Sequence, residues 1–256
     1  MARTDVKLDP ASPPAVRRES RRRRREAAAA VAAASSTEAL GRDGSLAPED
    51  RWAARTLRVA NAILARVYHR TIVRSPLHLP RRGPGILVCN HISGLDPVLV
   101  QSVCPRLVVW MMAREYYEIR GLKWLFRTVE AIPVDRGRRD MTATRSALRA
   151  LADGRILGIF PEGRIETSRD LLPFQTGVAM MAIKTGVPVY PAHIEGTQRG
   201  MDMIPAFVIP QEVTLSFGPP VEFDRGGTSH VELEAATELI QGAVWRLRPP
   251  RKWHPG

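Results

Sequence analysis

Cysteine and long apolar runs are both scarce in this sequence of 256 residues. Only Cys89 and Cys104 are present, and they form no Cys-x-x-Cys pair, so a disulfide framework and a thiolate zinc site are both unsupported. No apolar stretch approaches the roughly 18 to 20 residues that a membrane-spanning helix needs. The sequence therefore predicts a chain without a transmembrane helix, for which a reducing cytosol is the simplest setting.

Acidic residues are outnumbered by basic ones, which leaves a formal net charge of +12 at pH 7. Such a charge indicates polyanionic partners: nucleic acid, an anionic membrane surface or phosphorylated substrates. The composition is otherwise near the globular average, with 44% hydrophobic and 25% charged residues, so a wholly disordered or fibrous chain is excluded. The length suits one large domain or two small ones.

Residues 1–48 combine an arginine run, Arg21 to Arg25, with many alanine, serine and proline residues, and they contain too few large apolar side chains to build a core. We predict a disordered basic arm here and a short tail over residues 249–256. Acidic residues dilute the arginine run, and no aromatic residue is interleaved for base stacking. The sequence therefore does not favour a nucleic-acid function.

Residues 49–74 show helical spacing, with Trp52 and Val67 among the apolar residues on one side. Arginines occupy the other side, and no acidic residue lies between Arg51 and Leu95. The pattern predicts an amphipathic basic helix. Two interpretations remain open: an ordinary helix that packs on the domain with a solvated basic face, or a membrane-interface element whose basic face rests on anionic lipid headgroups.

Residues 75–248 alternate short apolar runs with helix-like stretches, which is typical of an α/β domain with a mostly parallel sheet flanked by helices. The predicted strands lie at residues 86–90, 107–111, 131–134, 156–160, 189–194 and 213–217. The predicted helices lie at residues 97–103, 121–128, 142–152, 177–184 and 230–247. In an open sheet of this kind, reactive residues gather beyond the carboxyl ends of the strands.

The first of these strand ends carries a histidine and an aspartate, His91 and Asp96, on either side of a turn. If Asp96 accepts a hydrogen bond from one imidazole nitrogen, the other nitrogen is free to take a proton, and the pair acts as a general base. The alternative is structural, since aspartate before Pro97 is a favoured start for a helix. Neither Ser93 nor Cys89 is a convincing nucleophile, so the nucleophile would be a hydroxyl of the substrate.

Two further strand ends carry an arginine at the same edge of the predicted sheet. Arg136 follows the strand at residues 131–134, and Arg164 follows Glu162 and Gly163 after the next strand. Guanidinium groups bind phosphate bidentately and stay charged at any working pH. Each arginine taken singly is more often a surface residue, but three strand ends that bring together a base and two arginines favour a site for a phosphorylated substrate.

Four segments, in this order, resemble the glycerophosphate and lysophosphatidate acyltransferase family over about residues 75–220. They are Asn90 with the His-x4-Asp block, residues 131–136, Phe-Pro-Glu-Gly at residues 160–163, and Val-Pro-Val-Tyr-Pro at residues 187–191. The His-x4-Asp block alone is a weak signal, whereas all four segments in the family's order form a strong one.

The resemblance implies transfer of a fatty acyl group from a thioester of coenzyme A or acyl carrier protein to a lysophospholipid hydroxyl, with 1-acylglycerol-3-phosphate as the first choice of acceptor. It implies that His91 deprotonates the hydroxyl and that Asp96 orients His91. It also implies that Arg136, with Glu162 and Gly163, holds the phosphate-bearing acceptor. No metal, redox cofactor or acyl-enzyme is implied.

The third segment departs from the family pattern Glu-Gly-Thr-Arg-Ser, because this chain continues Glu-Gly-Arg-Ile-Glu-Thr-Ser-Arg. The phosphate-contacting arginine is therefore either Arg164 or Arg169, and we favour Arg164 because it directly follows the strand. An acyltransferase for another lipid hydroxyl, such as that of a lyso-ornithine lipid, stays open, as does a noncatalytic basic module that binds membrane or nucleic acid. A lipid acceptor implies a peripheral location at the cytoplasmic face of the cell membrane.

Overall fold

The computed structural model describes residues 52–137, 140–165 and 172–249. The predicted arm at residues 1–48 lies outside the described residues, as do Arg169 and all but the first residue of the predicted tail. The described chain has the predicted fold class, a mostly parallel sheet flanked by helices.

The helices and strands follow one another in largely alternating order. The strands are β1 (Ile72–Val73), β2 (Gly85–Cys89), β3 (Val108–Ala113), β4 (Ile132–Val134), β5 (Ile156–Ile159), β6 (Val189–Glu195) and β7 (Thr214–Phe217). The helices are α1 (Trp52–Ile63), α2 (Asp96–Val103), α3 (Arg114–Tyr117), α4 (Lys123–Thr128), α5 (Met141–Ala152), α6 (Gly177–Thr185), α7 (Met203–Val208) and α8 (His230–Trp245).

The strands form one sheet in the order β1-β7-β6-β2-β5-β3-β4. Every neighbouring pair is parallel except β6 and β7, which are antiparallel. The central strand β2 lies between β5 and β6, so the carboxyl ends of these three strands meet at one edge. This edge is the one at which the sequence places its candidate site.

Each face of the sheet has its own apolar core, because successive side chains of a strand point to opposite faces. Ile86 and Val88 of β2 pack in one core with residues of α5, α6 and α8. Leu87 and Cys89 pack in the other core with residues of α2 and with Ala206 of α7. The continuous apolar runs of the sequence are therefore strands that are buried on both faces.

The N-terminal helical region ends earlier than the predicted range of residues 49–74. A π-helical turn, Leu64–Tyr68, follows α1, and Arg70 then has a positive φ of 39° that a helix cannot continue. Ile72 and Val73 pair in parallel with β7. These β-branched residues favour a strand over a helix, which is the physical reason for the shorter helix.

The side of α1 that packs on the domain is partly polar. The guanidinium of Arg58 donates a hydrogen bond to the carbonyl of Pro105. The amide of Asn61 donates to the carbonyl of Val98 on α2 at 2.8 Å. Arg58 therefore does not belong to an outward basic face, in contrast to the sequence-based assignment.

The outward side of α1 carries apolar residues. Val59, Ile63 and, in the π-helical turn, Val67 are exposed, and Arg55 and Arg66 are exposed beside them. The exposed surface of the helix is therefore an apolar stripe flanked by arginines and not a purely basic face.

We predict that Gly158 of β5 tolerates no side chain. A Cβ atom at this position would lie 2.5 Å from Cε3 of Trp110 and 2.6 Å from Cγ1 of Val108. Gly158→Ala should therefore lower the free energy of unfolding by about 1–3 kcal/mol, as overpacking of a core does. Gly177→Ala is the matched control, since a Cβ at Gly177 meets no atom within 4 Å. Equal stability of the two variants in urea unfolding would contradict this prediction.

Candidate active site

Asn90 extends the sheet by one residue beyond β2 and fixes where the chain turns. Its side-chain amide donates to the carbonyl of Ile194 at 3.0 Å and accepts from the backbone N–H of Ile194 at 2.8 Å. The side chain thus pairs with β6 as a strand backbone would. The backbone of Asn90 does not have to continue the strand and can turn, so His91 lies at the edge of the sheet.

His91 and Asp96 form a buried pair across this turn. Nδ1 of His91 lies 3.0 Å from Oδ2 of Asp96, and the two side chains are 10% and 0% exposed. With Nδ1–H donating to the carboxylate, Nε2 is the ring nitrogen that can accept a proton. The pair has the hydrogen bond that the sequence analysis expected, and the role of His91 as a general base stays a prediction.

The Asp96 carboxylate also organises the turn itself. Oδ2 accepts hydrogen bonds from the backbone N–H groups of Ile92 at 2.7 Å and Ser93 at 2.8 Å. Oδ1 accepts from the hydroxyl of Thr197 at 2.9 Å. The carboxylate therefore points back into the turn and does not cap the following helix, so the structural alternative considered for Asp96 is wrong in this form.

The imidazole of His91 lies at one end of a stack of aromatic rings. The ring of Phe160 stacks on His91 with centroids 4.1 Å apart, and Trp110 stacks on the other side of Phe160 at 4.8 Å. Phe160 follows β5 and Trp110 belongs to β3. The sequence analysis named Phe160 only as part of a motif and did not identify Trp110, because only the three-dimensional order of the strands brings Phe160 onto His91 and Trp110 onto Phe160.

Glu162 links the end of β5 to the turn that joins His91 to Asp96. Its carboxylate is buried, with Oε1 accepting from the backbone N–H of His91 at 2.9 Å and Oε2 accepting from that of Leu172 at 3.2 Å. These contacts position His91. A contact between Glu162 and the acceptor stays a prediction.

Gly163 is required by the shape of this turn. Its φ is +71°, and a Cβ atom there would lie 2.2 Å from the side-chain nitrogen of Gln175. A residue with a side chain would therefore be strained and would also collide with Gln175. This conformation lets Arg164 follow the buried Glu162 directly and reach the surface.

The arginines predicted to bind phosphate lie at exposed positions. The guanidinium of Arg136 is 39% exposed and lies 3.8 Å from the carboxylate of Glu115, which is itself largely exposed. Such an exposed pair contributes about 0–1 kcal/mol, so Arg136 can exchange Glu115 for a ligand at little cost. Arg164 is also exposed, whereas Arg169 lies outside the described residues.

A tyrosine from α3 reaches the loop before α7. The hydroxyl of Tyr116 donates to Oδ1 of Asp202 at 2.7 Å. This hydrogen bond raises the pKa of Tyr116 to about 12, so the phenol stays protonated and donates at physiological pH. Neither residue stands out in the sequence, since they are 86 positions apart and belong to no local motif.

The two side chains that the sequence analysis considered as nucleophiles, Cys89 and Ser93, are both buried. Burial, followed by the nearby charge of Asp96, raises the pKa of the Cys89 thiol well above its usual range, which keeps it protonated and unreactive. Ser93 is buried as well, and its hydroxyl oxygen lies 3.4 Å from the backbone N–H of Leu95. Among the described residues, no group of three or more His, Cys, Asp or Glu side chains is arranged to hold a metal ion.

A buried histidine–aspartate pair thus lies at the carboxyl edge of a mostly parallel sheet, and two other strands of that sheet are followed by exposed arginines. Residues 70–195 match the family model described as Acyltransferase. This match confirms the resemblance to an acyltransferase family that was drawn from the four sequence segments.

Curated relatives agree with this assignment. The chain is 26% identical over 127 residues to 1-acyl-sn-glycerol-3-phosphate acyltransferase of Bacillus subtilis, which covers 49% of this chain and 63% of the relative. It is 30% identical over 193 residues to N-acylphosphatidylethanolamine synthase of Arabidopsis thaliana, which covers 63% of this chain and 65% of the relative. The chain thus spans less than two thirds of the length of these relatives.

A solved structure has the same fold. The crystal structure of the 1-acyl-sn-glycerophosphate acyltransferase PlsC from Thermotoga maritima matches with a TM-score of 0.59 and 26% identity, covering 80% of this chain and 85% of the other. The mostly parallel sheet with flanking helices is therefore shared with this protein.

We predict that His91→Ala lowers the rate of acyl transfer by about 10²- to 10⁴-fold, the contribution that a general base typically makes. The surface histidine His230 is 82% exposed, so His230→Ala is the matched control and should keep the wild-type rate. The measurement is acyl transfer by purified, folded variants. A His91→Ala variant with the wild-type rate would exclude the base.

Asp96→Asn should keep the fold but slow the reaction. The amide oxygen can accept the three hydrogen bonds made by Oδ2, while the amide nitrogen can donate to Thr197, whose hydroxyl can reverse its role. Only the negative charge beside the imidazole is lost. Circular dichroism should therefore be unchanged while the maximal rate falls, and an unchanged rate would show that the charge does not contribute.

Proposed function

We propose that this protein is an O-acyltransferase that moves a fatty acyl group from a thioester of coenzyme A or acyl carrier protein to the free hydroxyl of a lysophospholipid. The preferred acceptor is 1-acylglycerol-3-phosphate, which would give phosphatidate. The observation that carries the proposal is the buried hydrogen bond between His91 and Asp96 at the carboxyl edge of the sheet.

The proposed reaction begins at Nε2 of His91, which takes the proton of the acceptor hydroxyl as its oxygen attacks the thioester carbonyl carbon. The new C–O bond gives a tetrahedral intermediate. Collapse of this intermediate breaks the C–S bond, and the imidazolium returns its proton to the leaving thiolate. The Asp96 carboxylate stabilises the imidazolium and keeps its Nδ1–H in place, so the chain supplies a base and needs no nucleophile of its own.

The two exposed arginines suit the phosphate of the acceptor. Arg136 follows β4 and Arg164 follows β5, so both leave the sheet at its carboxyl edge, on which His91 lies. A phosphomonoester carries charge that matches a guanidinium fork. A hydroxyl a few bonds away from that phosphate would then face the imidazole.

Arg136→Ala and Arg164→Ala should each raise the KM for lysophosphatidate while leaving the KM for the acyl donor unchanged, because a phosphate contact that is equal in ground and transition states contributes uniform binding. Arg145 on α5 is exposed but does not follow a strand end, so Arg145→Ala is the control for loss of a surface charge. If Arg169→Ala alone raises the acceptor KM, the phosphate contact belongs to the other candidate arginine.

The proposed reaction is tested by incubating the purified chain with labelled acyl-CoA or acyl carrier protein and a panel of acceptors. The panel contains lysophosphatidate, a lyso-ornithine lipid and phosphatidylethanolamine, the last because one relative is named as an N-acylphosphatidylethanolamine synthase. We expect labelled phosphatidate that is absent with His91→Ala. Labelling of no acceptor above the His91→Ala background, with lipid binding retained, would favour a noncatalytic basic module.

A lipid acceptor requires the site to work at a membrane surface. No helix among the described residues is long and apolar enough to cross a membrane. The exposed stripe of Val59, Ile63 and Val67, with Arg55 and Arg66 beside it, suits a peripheral attachment. Apolar side chains can enter the headgroup boundary, while each arginine adds about 1 kcal/mol near an anionic surface.

Flotation with vesicles tests this attachment. Arg55→Gln combined with Arg66→Gln should weaken binding to phosphatidylglycerol vesicles, and the remaining binding should depend less on salt, since the charge term decays over a Debye length of about 8–10 Å. Val59→Asn combined with Ile63→Asn should weaken binding to anionic and neutral vesicles alike. If both double variants float as the wild type does, α1 does not attach the protein to the membrane and is only part of the fold.

A further inference from the structure

The short helix α7 presents apolar side chains to solvent. Ile204 and Val208, one helical turn apart on one face, are 59% and 65% exposed, and Phe207 and Ile209 are exposed as well. Only Ala206 of this helix is buried in the core. Exposure of these apolar side chains to water is unfavourable, which indicates that a partner covers this face of the helix.

The loop before α7 and the first residue of α7 contact the turn that joins His91 to Asp96. The backbone N–H of Gly94 donates to the carbonyl of Met201 at 2.9 Å, and that of Gly200 donates to the carbonyl of Ile92 at 3.0 Å. A Cβ atom at Gly94 would lie 2.4 Å from the backbone nitrogen of Met203, so the two backbones are in close contact. The N-terminal end of α7 therefore lies against the turn that joins His91 to Asp96.

The helix is also joined to the end of the N-terminal helical region. The hydroxyl of Tyr68 donates to the carbonyl of Val208, and the rings of His69 and Phe207 lie 6.4 Å apart. Val67, which precedes Tyr68, belongs to the exposed stripe of α1. The apolar surface of α7 thus continues the surface already proposed to meet a membrane.

The charges around this surface identify its partner as an anionic bilayer. Arg66, Arg70 and Arg74 are exposed on the segment that leads from α1 to β1 and past it. Arg70 has an acidic neighbour in Glu212 at 3.4 Å, but both side chains are more than 70% exposed, so this pair offsets little of the positive charge. A second copy of the chain would bring arginines against arginines, whereas anionic headgroups neutralise them.

We propose that α7 is a second membrane-contacting element, whose Ile204 and Val208 enter the headgroup boundary of an anionic bilayer beside the turn that follows His91. Two separate contacts, one at α1 and one at α7, fix the orientation of the domain on the surface. The acceptor hydroxyl then reaches His91 without the lipid leaving the bilayer. The importance of this contact for catalysis rests on the proposed function, while the contact itself does not.

An environment-sensitive fluorophore tests the contact directly. The native cysteines, Cys89 and Cys104, are both buried, so a thiol-reactive NBD label will report on an introduced cysteine. The label is placed at Val208→Cys and, as a matched control, at Val231→Cys on α8. Val231 is 75% exposed, but α8 lies on the opposite face of the sheet and carries Glu232, Glu234 and Glu238.

On addition of phosphatidylglycerol vesicles we expect a blue shift and an intensity gain at position 208 and neither at position 231. A lipid-borne quencher should then quench the label at position 208 only. An unchanged label at position 208, with the protein bound to the vesicles, would overturn the proposal. A blue shift that appears on concentrating the protein without vesicles would also overturn it, in favour of a second copy of the chain.

A kinetic comparison tests the consequence for the reaction. Ile204→Asn combined with Val208→Asn should lower the rate on vesicle-borne lysophosphatidate by at least about tenfold, since burial of two apolar side chains is lost, and by less than about twofold on a short-chain, water-soluble acceptor. Val231→Asn combined with Leu239→Asn is the matched control and should match the wild type on both acceptors. An equal loss on both acceptors would contradict the proposal.

The two proposals fail separately in these experiments. If the double variant at α7 does not fold, Val208→Ser alone gives a smaller change in the same direction, because the hydrogen bond from Tyr68 uses only the backbone of Val208. If the wild type acylates no acceptor but position 208 still responds to vesicles, the proposed function fails while the membrane contact stands.

Discussion

The burial of the Asp96 carboxylate is the constraint on which the candidate site depends. A charged group with no exposure costs several kcal/mol unless hydrogen bonds replace its water. Here the donors are the imidazole of His91, the backbone N–H groups of Ile92 and Ser93 and the hydroxyl of Thr197. Any other shape of the turn would leave part of the carboxylate unpaired. The interaction that stabilises the turn is therefore also the one that orients the imidazole of His91.

The sheet supplies the remaining support, because both strands next to β2 contribute contacts to the turn. From β6, Ile194 pairs with the side chain of Asn90, and from the end of β5, Glu162 accepts a hydrogen bond from the backbone of His91. Phe160, which also follows β5, stacks on the imidazole. A parallel order places all these ends at one edge, so a few buried contacts suffice to hold the imidazole of His91 there. The membrane contacts proposed at α1 and α7 would bring this edge to a lipid acceptor.

Much of the fold and part of the candidate site could be predicted from the sequence, because the sequence patterns that indicate them are local. The buried strands are uninterrupted apolar runs, and the motif from His91 to Asp96 spans a single turn, so the fold class and the pair were both accessible. The partners of the pair were not, since Thr197 lies 101 positions from Asp96 and becomes its neighbour only through the crossover from β2 to β6. The outward side of α1 was also assigned wrongly in part, because helical spacing gives the two sides of a helix but not which one packs on the domain. Arg58 lies on the packed side of α1, where its guanidinium donates a hydrogen bond to the carbonyl of Pro105.

The most direct test of the account is the tautomer of His91 in the folded protein, measured by nitrogen NMR of the neutral imidazole. Hydrogen bonding of Nδ1–H to Asp96 predicts a protonated Nδ1 and an unprotonated Nε2. The same tautomer is expected in Asp96→Asn, because the amide oxygen still accepts from Nδ1, whereas Asp96→Ala should allow the other tautomer to appear. If the wild-type protein instead carries its proton on Nε2, that nitrogen cannot accept the proton of an acceptor hydroxyl, and the assignment of His91 as the general base is contradicted.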